Sequence, residues 1–232
     1  VTADRDGASP DPDPDPSIDP IIAARRRVGR AIRDLGHAVV GHVAGADELD
    51  ALADRLAAWA ARLEEGPARS RVVERPSGDW GPGPADGEEM VSFEDRPVSG
   101  KASPLGLDAR VVRDGDDAVC TVTLRAAHEG APGRSHGGIV AALFDDVYGF
   151  LLAIHETPGF TGELTVRYQA GVPLHRPLEC RVRLDGRDGR KLHMAGELSG
   201  TGDDGHRVVY ATSRATFITF DPEVWAGLAR AT

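Results

Sequence analysis

One stretch limits the fold of this chain more than any other. Between Gly137 and Ile154, the residues Ile139, Val140, Ala141, Ala142, Leu143, Phe144, Val147, Phe150, Leu151 and Leu152 place apolar groups on every face of a helix. A helix that is apolar all round has no face to offer water and must be buried. What surrounds it has a different period. Ala118, Cys120, Val122 and Leu124 alternate with Val119, Thr121, Thr123 and Arg125. Leu164, Val166 and Tyr168 alternate with Glu163, Thr165 and Arg167, and Leu178 to Leu184 repeats the pattern. Leu192, Met194 and Leu198 continue it, and Val209 to Phe217 closes the series. Each run reads as a half-buried antiparallel strand, with turns at Gly186–Gly189 and Gly200–Gly205. The expected domain is α+β over residues 107–222: an antiparallel sheet of five or six strands wrapped around one central helix.

The chain has 232 residues, 41 % of them hydrophobic, which leaves room for accessory segments as well. Residues 1–17 include Asp11-Pro12-Asp13-Pro14-Asp15-Pro16, which cannot bury apolar surface and reads as a disordered tail. Asp19-Pro20 has the form of a helix cap followed by proline at the first helical position. Ile21, Val28, Ile32, Leu35 and Val39 then mark one helix face, and Leu49, Leu52, Leu56, Trp59 and Leu63 mark a second. The expectation over 18–65 is a helical hairpin that docks or dimerises, with the arginines at 25–27, 30 and 33 on a solvated face. Residues 66–106, rich in Gly, Pro and charge, read as a linker that wraps the next domain and pairs briefly around Met90–Phe93. Residues 223–232 read as a short C-terminal helix or tail.

The net charge of −10 and a pI of about 5.2 argue against a nucleic-acid surface. No uninterrupted apolar stretch reaches the roughly 18 residues of a membrane span. Val1–Ser17 lacks the basic-then-apolar order of a signal peptide. Cys120 and Cys180 lie in alternating apolar runs, and neither belongs to a CxxC or zinc pattern. The reading is a soluble, cytoplasmic protein that needs no metal or bound cofactor.

The only residues in the apolar helix that carry a charge near neutral pH are Asp145 and Asp146. An unpaired buried carboxylate costs several kcal/mol, roughly, so its presence calls for a reason. Adjacent helical residues point about 100° apart, so at most one of the two faces a given site. Either one serves a reaction, or one or both reach the sheet edge and pair with an arginine such as Arg167 or Arg181. Ser135-His136-Gly137-Gly138 precedes the helix, and two glycines at a helix start leave backbone amides uncovered where the dipole is positive. Such a terminus can hold an oxyanion; alternatively, the glycines only serve a tight turn. Gly137 and Asp145 are eight residues apart, about 12 Å along one helix. They cannot both touch one carbonyl from the same helix. A catalytic reading therefore requires a second subunit.

The string His136-Gly137-Gly138-Ile139-Val140-Ala141-Ala142-Leu143-Phe144-Asp145 resembles the signature of hotdog-fold acyl-CoA thioesterases of the phenylacetate-pathway (PaaI) type. It is equally similar to human mitochondrial thioesterase-superfamily members, which also carry an N-terminal extension. The resemblance covers roughly residues 100–220 and includes Val166-Arg167-Tyr168 with Pro173 soon after. It implies a hotdog fold and hydrolysis of an acyl-CoA in a homodimer or homotetramer whose active site lies at the subunit interface. It assigns Asp145 as nucleophile or general base, the Gly137 amide as oxyanion donor, and Thr161, sixteen residues after Asp145, as their helper. His136, Gly138, Asp146 and Ser103 are expected at the substrate. Ser103 stands where the family often has Asn before the proline of Lys101-Ala102-Ser103-Pro104-Leu105.

Three other readings compete. Gly133-Arg134-Ser135-His136-Gly137 fits the G-x-S-x-G elbow of α/β-hydrolases, but that motif needs parallel strands alternating with helices. A hotdog module that binds acyl-CoA without turning it over, or that serves as an interaction module, is the principal alternative. A hotdog dehydratase needs a catalytic histidine, and His155, His175 and His193 read as surface or strand-face residues.

Overall fold

A computed structural model describes residues 18–69 and 83–220. The acidic tail expected over 1–17 and the C-terminal segment expected over 223–232 lie outside the described residues. The alternating runs form β1 (Arg110–Asp114), β2 (Asp117–Thr123), β3 (Gly159–Tyr168), β4 (Pro177–Asp188), β5 (Lys191–Thr201) and β6 (Arg207–Thr219). They make one six-stranded sheet in the order β1-β2-β4-β5-β6-β3, every neighbouring pair antiparallel. The apolar stretch forms the central helix, called α3 below (Gly137–Ile154).

Helix α3 packs across β2, β3 and β4. Val140, Leu143, Phe144, Val147, Tyr148 and Leu151 are fully buried on it, against a sheet face that carries Cys120, Val122, Cys180, Val182, Met194 and Leu198. Each large side chain so buried stabilises the fold by about 1.5–3 kcal/mol. A Cβ on Gly196 would lie 2.9 Å from the Tyr148 hydroxyl and 3.1 Å from the Phe144 ring, so a glycine in β5 lets the helix sit this close. Tyr148 Oη and Ser213 Oγ share a hydrogen bond of 2.7 Å at the centre of this layer. Helix α3 has the length and apolarity of a membrane span, and the sheet accounts for its burial.

The segment 83–106 lies against this body. Its pairing, expected around Met90–Phe93, is a single bridge between Glu89 and Val112, beside a bond from the Met90 N–H to the Val111 carbonyl. Before it come α1 (Pro20–Gly41) and α2 (Ala46–Glu64). Asp19 caps α1 by accepting the Ile21 N–H at 2.8 Å.

The way α1 docks reverses the expectation. Its buried residues are Gly29, Arg33 and His37, whereas Ile21, Val28, Ile32 and Val39 remain exposed. Arg33 donates to the Ser103 carbonyl at 2.5 Å and to Asp108 at 2.6 Å, and Arg26 pairs with Glu94. Arg125 reaches across to Asp34 at 2.6 Å. His37 Nδ1 accepts the Ala127 N–H, and its ring meets His128 edge-on. There is no room for a Cβ on Gly29 against the Ala102 carbonyl, so the backbones touch. The arginines expected on a solvated face therefore include the contacts that hold α1 down. The two helices expected over 18–65 are present as α1 and α2, but none of the residues of α2 is buried, and the apolar stripes of the two helices do not cover one another.

Candidate active site

The two aspartates of α3 separate as their 100° offset requires. Asp146 turns inward and is 6 % exposed. Its Oδ1 accepts from Arg96 Nε at 2.6 Å, and its carbonyl accepts from Arg96 Nη2 at 2.6 Å. Arg96 also donates to Ser92 Oγ and lies 4.9 Å from the centre of the Phe150 ring. Gly149 leaves the space that the guanidinium fills. Asp146, expected at the substrate, is instead the anchor by which the segment 83–106 grips the central helix. Arg96, rather than Arg167 or Arg181, is its partner; Arg181 pairs with Asp114 and Asp117.

Asp145 faces outward and is exposed. Its Oδ1 accepts the Thr161 hydroxyl at 2.7 Å. Thr161 is aimed by an irregularity in β3: the register with β6 slips between Thr161 and Glu163, at Gly162. A bulge of this kind re-aims a side chain at the cost of one ladder position. Gly162 is needed there, because a Cβ would lie 3.0 Å from the Ile218 side chain.

The other end of α3 is built as tightly. His136 is the N-cap, and its Nδ1 accepts the Gly138 N–H at 3.0 Å. Its own N–H donates to the His128 carbonyl, and the Ser135 N–H donates to the Val172 carbonyl. A Cβ on Gly130 would lie 2.7 Å from the Cα of His136, so a bare glycine backs the turn. With the Gly138 amide committed to His136, the Gly137 N–H is left without an acceptor among the described residues. The Gly137 carbonyl accepts the Tyr168 hydroxyl at 2.6 Å. In front of it opens a cleft of about 470 Å³, lined among others by Arg134, Ser135, Val140, Tyr168 and Gln169.

The sequence-predicted residues thus divide into two places. Gly137, Gly138 and His136 form the helix start, and Asp145, bonded to Thr161 of β3, lies about 12 Å further along the same helix. Ser103 belongs to neither place. It is 2 % exposed, its hydroxyl donates to the Pro97 carbonyl and accepts the Leu105 N–H, and its own carbonyl holds Arg33. Its expected contact with substrate gives way to a part in docking α1. Sequence reasoning missed Tyr168, Arg134 and Gln169 at the cleft, and Arg96 behind Asp146. Tyr168 was visible as an aromatic in an alternating strand and as the end of the string Val166-Arg167-Tyr168 in the resemblance, with no role at the cleft assigned to it.

A crystal structure of a thioesterase superfamily protein matches this architecture with a TM-score of 0.69 at 28 % identity, covering 84 % of this chain and 94 % of that one. The chain has the hotdog fold of the thioesterase superfamily. Coverage of 84 % exceeds what the sheet and central helix of this hotdog chain supply, so the likeness extends into the segments before them. Acyl-coenzyme A thioesterase THEM4 of Mus musculus is 30 % identical over 95 residues, 41 % of this chain and 40 % of the relative. The Bos taurus protein of the same name is 26 % identical over 141 residues, 59 % of this chain and 56 % of the relative. The chain thus spans about half the length of these curated relatives. No protein-family model matches it. The fully antiparallel sheet of the hotdog fold rules out the α/β-hydrolase context that the G-x-S-x-G string requires.

Proposed function

We propose that this hotdog chain is an acyl-CoA thioesterase, hydrolysing a thioester to the free acid and CoA. The observation that carries the reading is the contrast within α3. One carboxylate is locked away on Arg96, while its neighbour Asp145 stands exposed with a hydroxyl holding one oxygen. The names of the curated relatives support the same chemistry.

In this reading the Gly137 N–H donates to the thioester oxygen as it becomes an oxyanion, which is worth about 3 kcal/mol by comparison with other such donors. Asp145 either takes a proton from an attacking water or attacks the carbonyl itself. In the second route a mixed anhydride forms, CoA leaves as the thiolate and takes up a proton, and water then cleaves the anhydride. Thr161 fixes one carboxylate oxygen and leaves the other to react. His136 shapes the turn and Gly138 completes it, so both act on the substrate only through the position of Gly137.

Because Gly137 and Asp145 are separated along one helix, each site takes its amide from one copy of the chain and its carboxylate from another. The active assembly is a homodimer or homotetramer. The two buried, unpaired cysteines suit a reducing, cytoplasmic compartment. The test is release of free thiol from a panel of aliphatic and aromatic acyl-CoAs. Asp145→Asn is expected to lower turnover about 100-fold or more with the fold intact. Undiminished turnover would remove Asp145 from the reaction.

A further inference from the structure

Among the described residues fourteen large hydrophobic side chains are exposed, and ten of them lie between Ile21 and Leu63. Those on α2 are the most ordered. Leu49, Leu52, Leu56, Trp59 and Leu63 follow one another at steps of three and four, the seam of a two-stranded coiled coil. Exposure along this seam reaches 59 % at Trp59 and 70 % at Leu63, and none of the 19 residues of the helix is buried. A lone helix of that length is marginal in water, so its stability has to come from a surface that covers the seam.

We infer that α2 pairs antiparallel with α2 of a second copy of this chain. The charges beside the seam select that occupant. Glu48 and Arg62 lie on the same flank, each one residue before a seam leucine, Leu49 and Leu63. In an antiparallel pair of identical helices centred near Arg55, Glu48 of each copy faces Arg62 of the other, and the two-fold axis makes the ion pair twice. A parallel pair would set Glu48 against Ala53 and Arg55 against Ala60, with no charge to meet. Arg62 already lies at the seam, 5.1 Å from the centre of the Trp59 ring. The cost of the antiparallel arrangement falls on Arg55, which meets its own copy at the axis. This contact is separate from the one that the catalytic proposal requires, since α2 carries none of the site residues.

The experiment is analytical ultracentrifugation of the full chain at low salt, with self-association as the readout and turnover playing no part. Leu56→Asp halves the mass of the wild-type assembly. Glu48→Arg or Arg62→Glu alone weakens association about tenfold, since both symmetry-related pairs become repulsive. The double variant Glu48→Arg/Arg62→Glu restores association, and Arg55→Gln tightens it. A wild-type mass unchanged by Leu56→Asp would overturn the proposal and assign the seam to another segment of the same chain or to a different protein. Single charge reversals that add instead of compensating would overturn the antiparallel pairing.

Discussion

Helices α1 and α3 solve the same problem with opposite faces. Helix α3 buries leucine, valine and aromatic side chains and exposes one carboxylate. Helix α1 buries an arginine, a histidine and a glycine and exposes Ile21, Val28, Ile32 and Val39. The first is held by apolar burial, which is non-directional and tolerates small shifts. The second is held by hydrogen bonds of Arg33, His37 and Arg125, which depend on charge and geometry. In this hotdog body, the difference separates a scaffold held by apolar burial from an arm held by charged and polar contacts.

The largest effect should come from breaking the one ionic contact inside the apolar region. Arg96→Ala leaves the Asp146 carboxylate buried without a partner and is expected to lower unfolding stability by about 3–5 kcal/mol. Thr161→Ala, made at the exposed neighbour, should cost under about 1.5 kcal/mol. Denaturant unfolding of the two variants compares them directly, and equal losses would show that the aspartates are not differently placed.

A smaller effect sharpens the contrast from the side of α1. Burial pushes the His128 pKa down to about 4, with help from His37 and the Arg125 charge. Burial, then Arg125, also lowers that of His37, while Asp108 and Asp34 act in the opposite direction. Both rings are therefore kept neutral, and each accepts a backbone N–H. Released histidines bind protons more readily, so the stability of the docked state is full above the ordinary value of 6.5 and falls as the pH drops toward 4. Hydrogen-exchange protection over residues 20–41, taken relative to the intrinsic exchange rate at each pH, should fall between pH 7 and 4.5, while α3 stays protected. His37→Gln/His128→Gln should flatten that response, and an unchanged response would place the pH sensitivity elsewhere.

The same contrast explains what could be read without a structure. All-round apolarity announces α3, and period two announces the strands, because both signals come from burial against a flat or enclosing surface. The docking of α1 sends no such signal. Arg33 and His37 look like solvent residues in any hydrophobic pattern, and the apolar stripe from Ile21 to Val39 points to a face that the described residues leave exposed. Asp145 and Asp146 were visible as a pair that only the family resemblance told apart, because the burial of Asp146 depends on Arg96, 50 residues earlier in a segment without periodicity. Thr161 was named by the resemblance alone, and its hydroxyl lies on Asp145. The slip at Gly162 that aims it was not legible, since one glycine in a strand does not reveal a bulge.

The central claim is that each site draws Gly137 from one copy and Asp145 from another, and subunit mixing tests it. Gly137→Pro is the matching half-defect: proline is favoured at the first helical position, and it removes an N–H that no described residue accepts. Gly137→Ala controls for the added Cβ, which would lie 3.1 Å from the Tyr168 hydroxyl. Alone, Gly137→Pro should lose about 100- to 1,000-fold in turnover. Chains carrying Gly137→Pro and chains carrying Asp145→Asn, co-expressed and purified as mixed assemblies, should regain thioester hydrolysis, because one site of each mixed pair receives both intact groups. Mixed assemblies no more active than either parent would contradict the shared site.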